Sequence, residues 1–227
     1  MRTLHVEPPA EIGVRDGLSY ALFLPAGEAL GGVVILHGAD SAKESHFDFA
    51  RACRAAGLAA VAFDLRGHGA SPGPLDGRVL DDVAVAAGLL PAGPRLLRGS
   101  SLGGWLAVVA GARMHAAGVV AICPAGGDGL RRALRAGRFG FPTEAGALEA
   151  ALAGHDEVAA AAALGPRLML QHAEGDEVVP VVLSRALHDA APGSRLVEVP
   201  GGHHRSVQHD PELQAVAVRF LLRAASG

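Results

Sequence analysis

Residues 94–115 read PRLLRGSSLGGWLAVVAGARMH. Arg95 to Arg98 is a short, partly apolar run introduced by Pro91-Ala92-Gly93-Pro94, the punctuation expected before a strand. Leu102 to His115 is mostly Ala, Leu and Val, which suits a helix buried on most faces. Between them lies Gly99-Ser100-Ser101-Leu102-Gly103, a G-x-S-x-G turn. Glycines at 99 and 103 permit a bend too tight for side chains and thrust Ser101 out between strand and helix. In a chain with 31 glycines among 227 residues the pentapeptide is weak on its own. Its position between a strand and a helix gives it weight. Of the two adjacent serines, Ser101 is the central one.

Outward from this turn, apolar runs alternate with helical patterns. Residues 18–24 (LSYALFL) alternate and end at Pro25, which predicts an early antiparallel strand. Residues 32–36, 58–63, 118–123, 167–171 and 195–199 read as further strands, mostly without polar interruption, as in strands covered on both faces. Residues 41–56 look helical, with Ser41 and Glu44 in a capping-box pattern. Residues 76–90, 180–190 and 211–225 are helical in period. The alternation predicts an α/β class protein with a doubly wound, mostly parallel sheet in one domain spanning 1–227. Residues 124–165 exceed what one crossover helix needs. They read as a small helical lid insertion over the carboxyl ends of the strands, or as a crossover with extra helices.

A serine hydroxyl is a poor nucleophile at neutral pH. It needs a base, and the base needs an orienting group. Asp176 lies in Gly175-Asp176-Glu177, in a loop after the strand at 167–171. His203 and His204 lie in Gly201-Gly202-His203-His204, after the strand at 195–199. A serine, an acid and a histidine thus follow three successive strand ends, in the chain order Ser, Asp, His. Asp176 is preferred over Glu174 and Glu177 because it follows the turn glycine. His204 is preferred over His203, which remains open. The oxyanion formed in acyl transfer needs backbone donors. Leu102 N–H, next to Ser101, is one. Ala39 N–H, in His37-Gly38-Ala39-Asp40 after the strand at 32–36, is the second. Gly38 allows close approach there, and His37 reads as a structural hydrogen-bonding residue. No acid completes a metal motif with the histidines and His209, so no metal is expected.

Composition narrows the classes. Half the residues are hydrophobic and the net charge is −3, which excludes a nucleic-acid footprint or an electrostatic membrane anchor. Arg131, Arg132, Arg135 and Arg138 recur at helical spacing and read as a solvated face. Residues 1–9 lack the apolar stretch of a signal peptide, and no run reaches 18 apolar residues, so a cytoplasmic protein is expected. Cys53 and Cys123 have neither metal nor redox spacing and read as buried thiols.

His37-Gly38, Asp64-Leu65-Arg66-Gly67-His68-Gly69, Gly99 to Gly103, Gly175-Asp176 and Gly201 to His204 together resemble the α/β-hydrolase superfamily. With Ala39 to Glu44, they are similar to its small bacterial serine esterases of the cinnamoyl/feruloyl-esterase and dienelactone-hydrolase kinds. The resemblance covers about residues 18–225. It implies an eight-stranded sheet, a Ser101–His204–Asp176 triad, hydrolysis of a small-molecule ester without a cofactor, and a bracing role for 64–69. The expected assembly is a monomer or homodimer. Dienelactone hydrolases usually carry cysteine at the nucleophile position and haloalkane dehalogenases aspartate. Here it is Ser101. A thioesterase or peptidase would use the same residues, and a non-catalytic ligand-binding protein of this fold is the alternative from another class.

Overall fold

The computed structural model describes residues 6–227, so Met1–His5 of the N-terminal reading lie outside the described residues. Among them eight strands form one sheet: β1 (Glu11–Arg15), β2 (Leu18–Phe23), β3 (Gly32–Leu36), β4 (Ala59–Phe63), β5 (Arg95–Ser100), β6 (Gly118–Ile122), β7 (Leu168–Ala173) and β8 (Arg195–Val199). The helices are α1 (Phe47–Ala55), α2 (Val79–Ala87), α3 (Leu102–Arg113), α4 (Gly127–Arg135), α5 (Ala145–Ala153), α6 (Glu157–Leu164), α7 (Val182–Ala190), α8 (Ser206–His209) and α9 (Pro211–Ala225).

The spatial order is β1-β2-β4-β3-β5-β6-β7-β8. β1 and β2, and β2 and β4, pair antiparallel, and every other pair is parallel. β3, β4, β6 and β7 are buried along their whole length, as a two-sided cover requires. Alternate side chains enter two cores. Val34, Leu36, Leu97 and Val119 pack with Val79 and Val83 of α2 and Leu106 of α3. Val33, Ile35, Leu96 and Val120 pack with Phe49 and Cys53 of α1 and Phe220 and Leu221 of α9. The strand order reverses between β3 and β5. β4 lies to one side of that pair, and β6 to β8 lie to the other. The crevice outside the carboxyl ends at such a reversal is where open α/β sheets bind ligands.

Three local expectations change. The helix predicted over 41–56 begins as a 3₁₀ turn at Lys43–His46, and α1 starts at Phe47. Ser41 caps nothing. The Lys43 N–H that a capping residue would satisfy donates instead to Asp64 Oδ1 at 2.8 Å. The helix predicted over 76–90 is shorter, because Asp76 Oδ1 accepts from Arg78 N–H and holds a turn ahead of α2. β1 joins the predicted early strand as an exposed edge, with Ile12 and Val14 facing solvent.

Residues 124–165 contain α4, α5 and α6. α6 packs against α3 and α7, so it serves as the crossover between β6 and β7, while α4 and α5 pack on each other as an added pair. Gly140 N–H donates to Asp40 Oδ1 at 3.1 Å, tying this segment to the loop after β3. Among the described residues no helix is long and apolar enough to cross a membrane.

Candidate active site

Ser101 sits between β5 and α3 with φ 55° and ψ −117°, a region that side-chain-bearing residues rarely adopt. Three main-chain hydrogen bonds hold it. Ser101 N–H donates to the Ile122 carbonyl at 2.9 Å, and the Ser101 carbonyl accepts from Trp105 and Ala125 N–H, both at 3.1 Å. The flanking glycines are sterically required. A Cβ on Gly99 would collide with the Gly103 carbonyl oxygen, and one on Gly103 with the carbonyl oxygens of Leu36 and His37. α3 therefore passes directly over the end of β3, which brings the loop after β3 up to the serine.

Asp176 follows β7 and His204 follows β8. His204 Nδ1 lies 2.7 Å from Asp176 Oδ2. The Asp176 side chain is fully covered and that of His204 nearly so. Asp176 Oδ1 accepts from Val178 and Val179 N–H at 2.8 Å each. Burial opposes its ionisation, but the Val179 N–H and the His204 ring outweigh burial and hold its pKa below the ordinary carboxylate value. His203, by contrast, is exposed, and its ring accepts from Arg205 N–H. The structure thus brings Asp176 to His204 and leaves His203 outside. Glu177 accepts from His204 N–H at 3.2 Å, and Glu174 is on the surface, near Arg185.

Ser101 and His204 line one cavity of about 290 Å³, together with Gly38 and Ala39. No hydrogen bond joins the Ser101 hydroxyl to His204 among the described residues. Such bonds often tighten only when substrate is bound. Ala39 and Leu102 flank Ser101, and neither N–H has a protein acceptor among the described residues. Leu102 is the first residue of α3, where helix N–H groups are unpaired by construction. His37 lies behind this loop. Its Nε2 accepts from Leu65 N–H at 3.0 Å, and its Nδ1 is 2.7 Å from the Gly38 carbonyl. Burial pushes its pKa down to about 4, so the ring is neutral and braces the loop. Asp64 braces the same loop. It is fully buried, pairs with Lys43 Nζ at 2.7 Å and accepts from Ala70 N–H at 2.9 Å.

Two supporting residues escape the sequence reading. His172 on β7 is fully buried, with Nε2 3.4 Å from Asp176 Oδ2 and Nδ1 2.7 Å from Ser184 Oγ. Arg98 on β5 is also fully buried. Its guanidinium stacks over Phe49 at 4.6 Å, meets His46 Nδ1 at 2.7 Å and donates to the Gln208 carbonyl at 2.8 Å, anchoring α8 just after His204. The signal available was an ionisable residue inside a buried strand. Cys123 adjoins the pair: donor atoms of Cys123, Asp176 and His204 lie within 4.8 Å of one another. Burial pushes the Cys123 thiol up to about 12.

A family model described as serine aminopeptidase, S33, matches residues 27–139. Est1E from Butyrivibrio proteoclasticus, solved with ferulic acid bound, superposes with a TM-score of 0.75 at 20% identity, covering 96% of this chain and 100% of that one. A monoacylglycerol lipase from Paleococcus ferrophilus gives 0.68 at 19% identity, covering 92% and 98%. A hydrolase from Pseudomonas aeruginosa gives 0.72 at 18% identity, covering 93% and 97%. No curated protein matches the sequence. The chain has the α/β-hydrolase fold. Over residues 27–139 the chain is thus similar to a serine-hydrolase family of this fold.

Proposed function

We propose that the protein is a serine hydrolase of carboxylic esters. The observation that carries this reading is the 2.7 Å contact of His204 with a fully covered Asp176, beside a strained Ser101 in the same cavity. Ser101 Oγ attacks the ester carbonyl as His204 Nε2 takes its proton. Asp176 fixes the imidazole tautomer and stabilises the imidazolium. The N–H groups of Ala39 and Leu102 receive the oxyanion. The tetrahedral intermediate collapses to an acyl-enzyme as His204 protonates the departing alcohol. Water, deprotonated by His204, then releases the acid and restores Ser101. The chain's own groups and water suffice for each step, without metal or cofactor.

Ser101→Ala should abolish hydrolysis of p-nitrophenyl butyrate and leave the thermal melt unchanged. Unchanged turnover would overturn the assignment. A fluorophosphonate should form an adduct at Ser101; none in folded protein would favour a non-catalytic ligand-binding role. The serine aminopeptidase match favours a second, amide-cleaving reading. It predicts turnover of an aminoacyl p-nitroanilide in preference to the ester.

A further inference from the structure

The site occupies one end of the sheet. The polar cavity of about 290 Å³ meets, at Ala39 and Ser101, an apolar one of about 340 Å³ walled mainly by Leu130, Ala133, Phe139, Val179 and Leu183. No residue of β1 or β2 lines either cavity, so the β1 edge of the sheet lies outside the site.

The hairpin fixes which backbone groups that edge presents. β1 and β2 are joined by Asp16-Gly17, both with positive φ, the two-residue turn that makes Arg15 and Leu18 a hydrogen-bonded pair. Glu11, Gly13 and Arg15 therefore turn their N–H and C=O groups to β2, and Ile12 and Val14 turn theirs to the open edge. Ser19, opposite Val14, agrees: its N–H donates to Ser71 Oγ at 2.8 Å, and its carbonyl accepts from Asp64 N–H at 2.9 Å. Among the described residues β1 pairs only with β2. The chain ahead of it is held on α1, where Arg51 donates to the Glu7 carbonyl and Arg54 to the Pro8 carbonyl. Ile12 and Val14 are 66% and 67% exposed, and β1 has neither Lys nor Pro, which commonly blunt an edge.

The sequence of this edge, Glu11-Ile12-Gly13-Val14-Arg15, complements itself when reversed. In an antiparallel pairing with its twofold axis at Gly13, Ile12 faces the partner's Val14, and these outward-turned residues exchange backbone hydrogen bonds. Glu11 then faces the partner's Arg15, and Gly13 faces the partner's Gly13, at the closer, non-hydrogen-bonded positions. Ile12 and Val14 gather on one face of the joined sheet. The ion pairs lie on the other, the face of Tyr20, whose hydroxyl donates to Glu11. An axis at Ile12 or Val14 instead leaves part of the edge unpaired and sets Glu11 or Arg15 opposite a glycine. We propose that two copies of the chain associate through β1, so that the sheet of one continues into the other. An edge of five residues buries less than a permanent dimer does, so the association is weak and depends on concentration.

Sedimentation equilibrium of the full chain, from about 10 µM to about 1 mM, should show monomer passing into dimer. Glu11→Arg and, separately, Arg15→Glu each turn both ion pairs into like-charge contacts, and each should raise the dissociation constant about tenfold or more. The double variant Glu11→Arg/Arg15→Glu restores opposite charges in the same register and should return the constant to within about threefold of wild type. Ile12→Pro removes an N–H that β2 does not use, so it should weaken the dimer and spare the hairpin. Circular dichroism checks that each variant is folded. A wild type that stays monomeric over this range overturns the proposal. So does a dimer that neither single reversal weakens, and so does a double variant that associates no more tightly than the single ones.

Discussion

His37 should make the fold acid-labile in a defined window. Its imidazole is fully buried, and burial lowers its pKa from 6.5 to about 4. The unfolded chain takes a proton at this residue below pH 6.5, and the native state takes one only below about 4. Between those values the unfolded state binds more protons, so stability falls as pH falls through the window. At pH 7 the contribution of His37 to this loss is about 0.2 kcal/mol. At pH 5 it is about 2, and its limit below pH 4 is about 3. His46, His68 and His172 are shifted down in the same direction, burial being foremost in each. They deepen the loss without changing its sign. Asp48 and Asp176 have lowered pKa values, so their contributions fall away only below about pH 4, outside the window. The chain has one tryptophan, the buried Trp105, which reports unfolding in urea. His37→Gln keeps an acceptor for Leu65 N–H and removes the titration. Between pH 7 and pH 5 the wild type should lose about 2 kcal/mol more than the variant. An equal loss in both proteins would refute the reasoning.

Asp64→Asn should destabilise the fold by about 3 kcal/mol, because it removes the buried partner of Lys43, which is itself 5% exposed. Urea midpoints of the two proteins measure this, and a change within error would contradict a bracing role for the pair. Cys53 and Cys123 are both buried with thiols pushed up to about 12, so neither should react with an aromatic disulfide reagent in native protein. Both should react in urea, and rapid native labelling at either would show that the core opens there.

The sheet was legible because its strands are covered on both faces and therefore read as continuous apolar runs. β1 was not, since a solvent-facing edge strand such as EIGVR carries too little apolar periodicity to stand out. The capping box at Ser41 misled for a non-local reason. Its pattern is local, while the group that takes Lys43 N–H is Asp64, 21 residues away. The same divide runs through the site. Ser101, Asp176 and the His203-His204 pair could be found because each follows a strand end. Choosing His204 required knowing which ring meets Asp176 across two adjacent strand ends. Arg98 and His172 were illegible because their meaning lies in neighbours far away in the chain: Gln208 is 110 residues from Arg98.

The two sides of Ser101 are built from different parts of the chain. The apolar side is formed by α4 and Phe139, inside the one stretch that departs from the βα rhythm, together with residues 178–183 after β7. The polar side comes from loops that the fold itself must fix: the turn after β3, the elbow, and the segment from His204 to α8. Those loops are pinned by buried charge. Lys43 and Asp64 hold the first, and Arg98 holds the last through Gln208. Ser101 joins the two sides, and its unfavourable backbone geometry costs of order 1–3 kcal/mol. It persists because its N–H and carbonyl are bound at once to β6, to α3 and to Ala125 in the 124–165 segment. The strain and the 124–165 segment are thus coupled at Ala125, whose N–H bonds the Ser101 carbonyl and which borders the apolar cavity. Changes in α4 can reshape the apolar cavity freely only as far as Ala125, because beyond it the backbone that holds the serine must move.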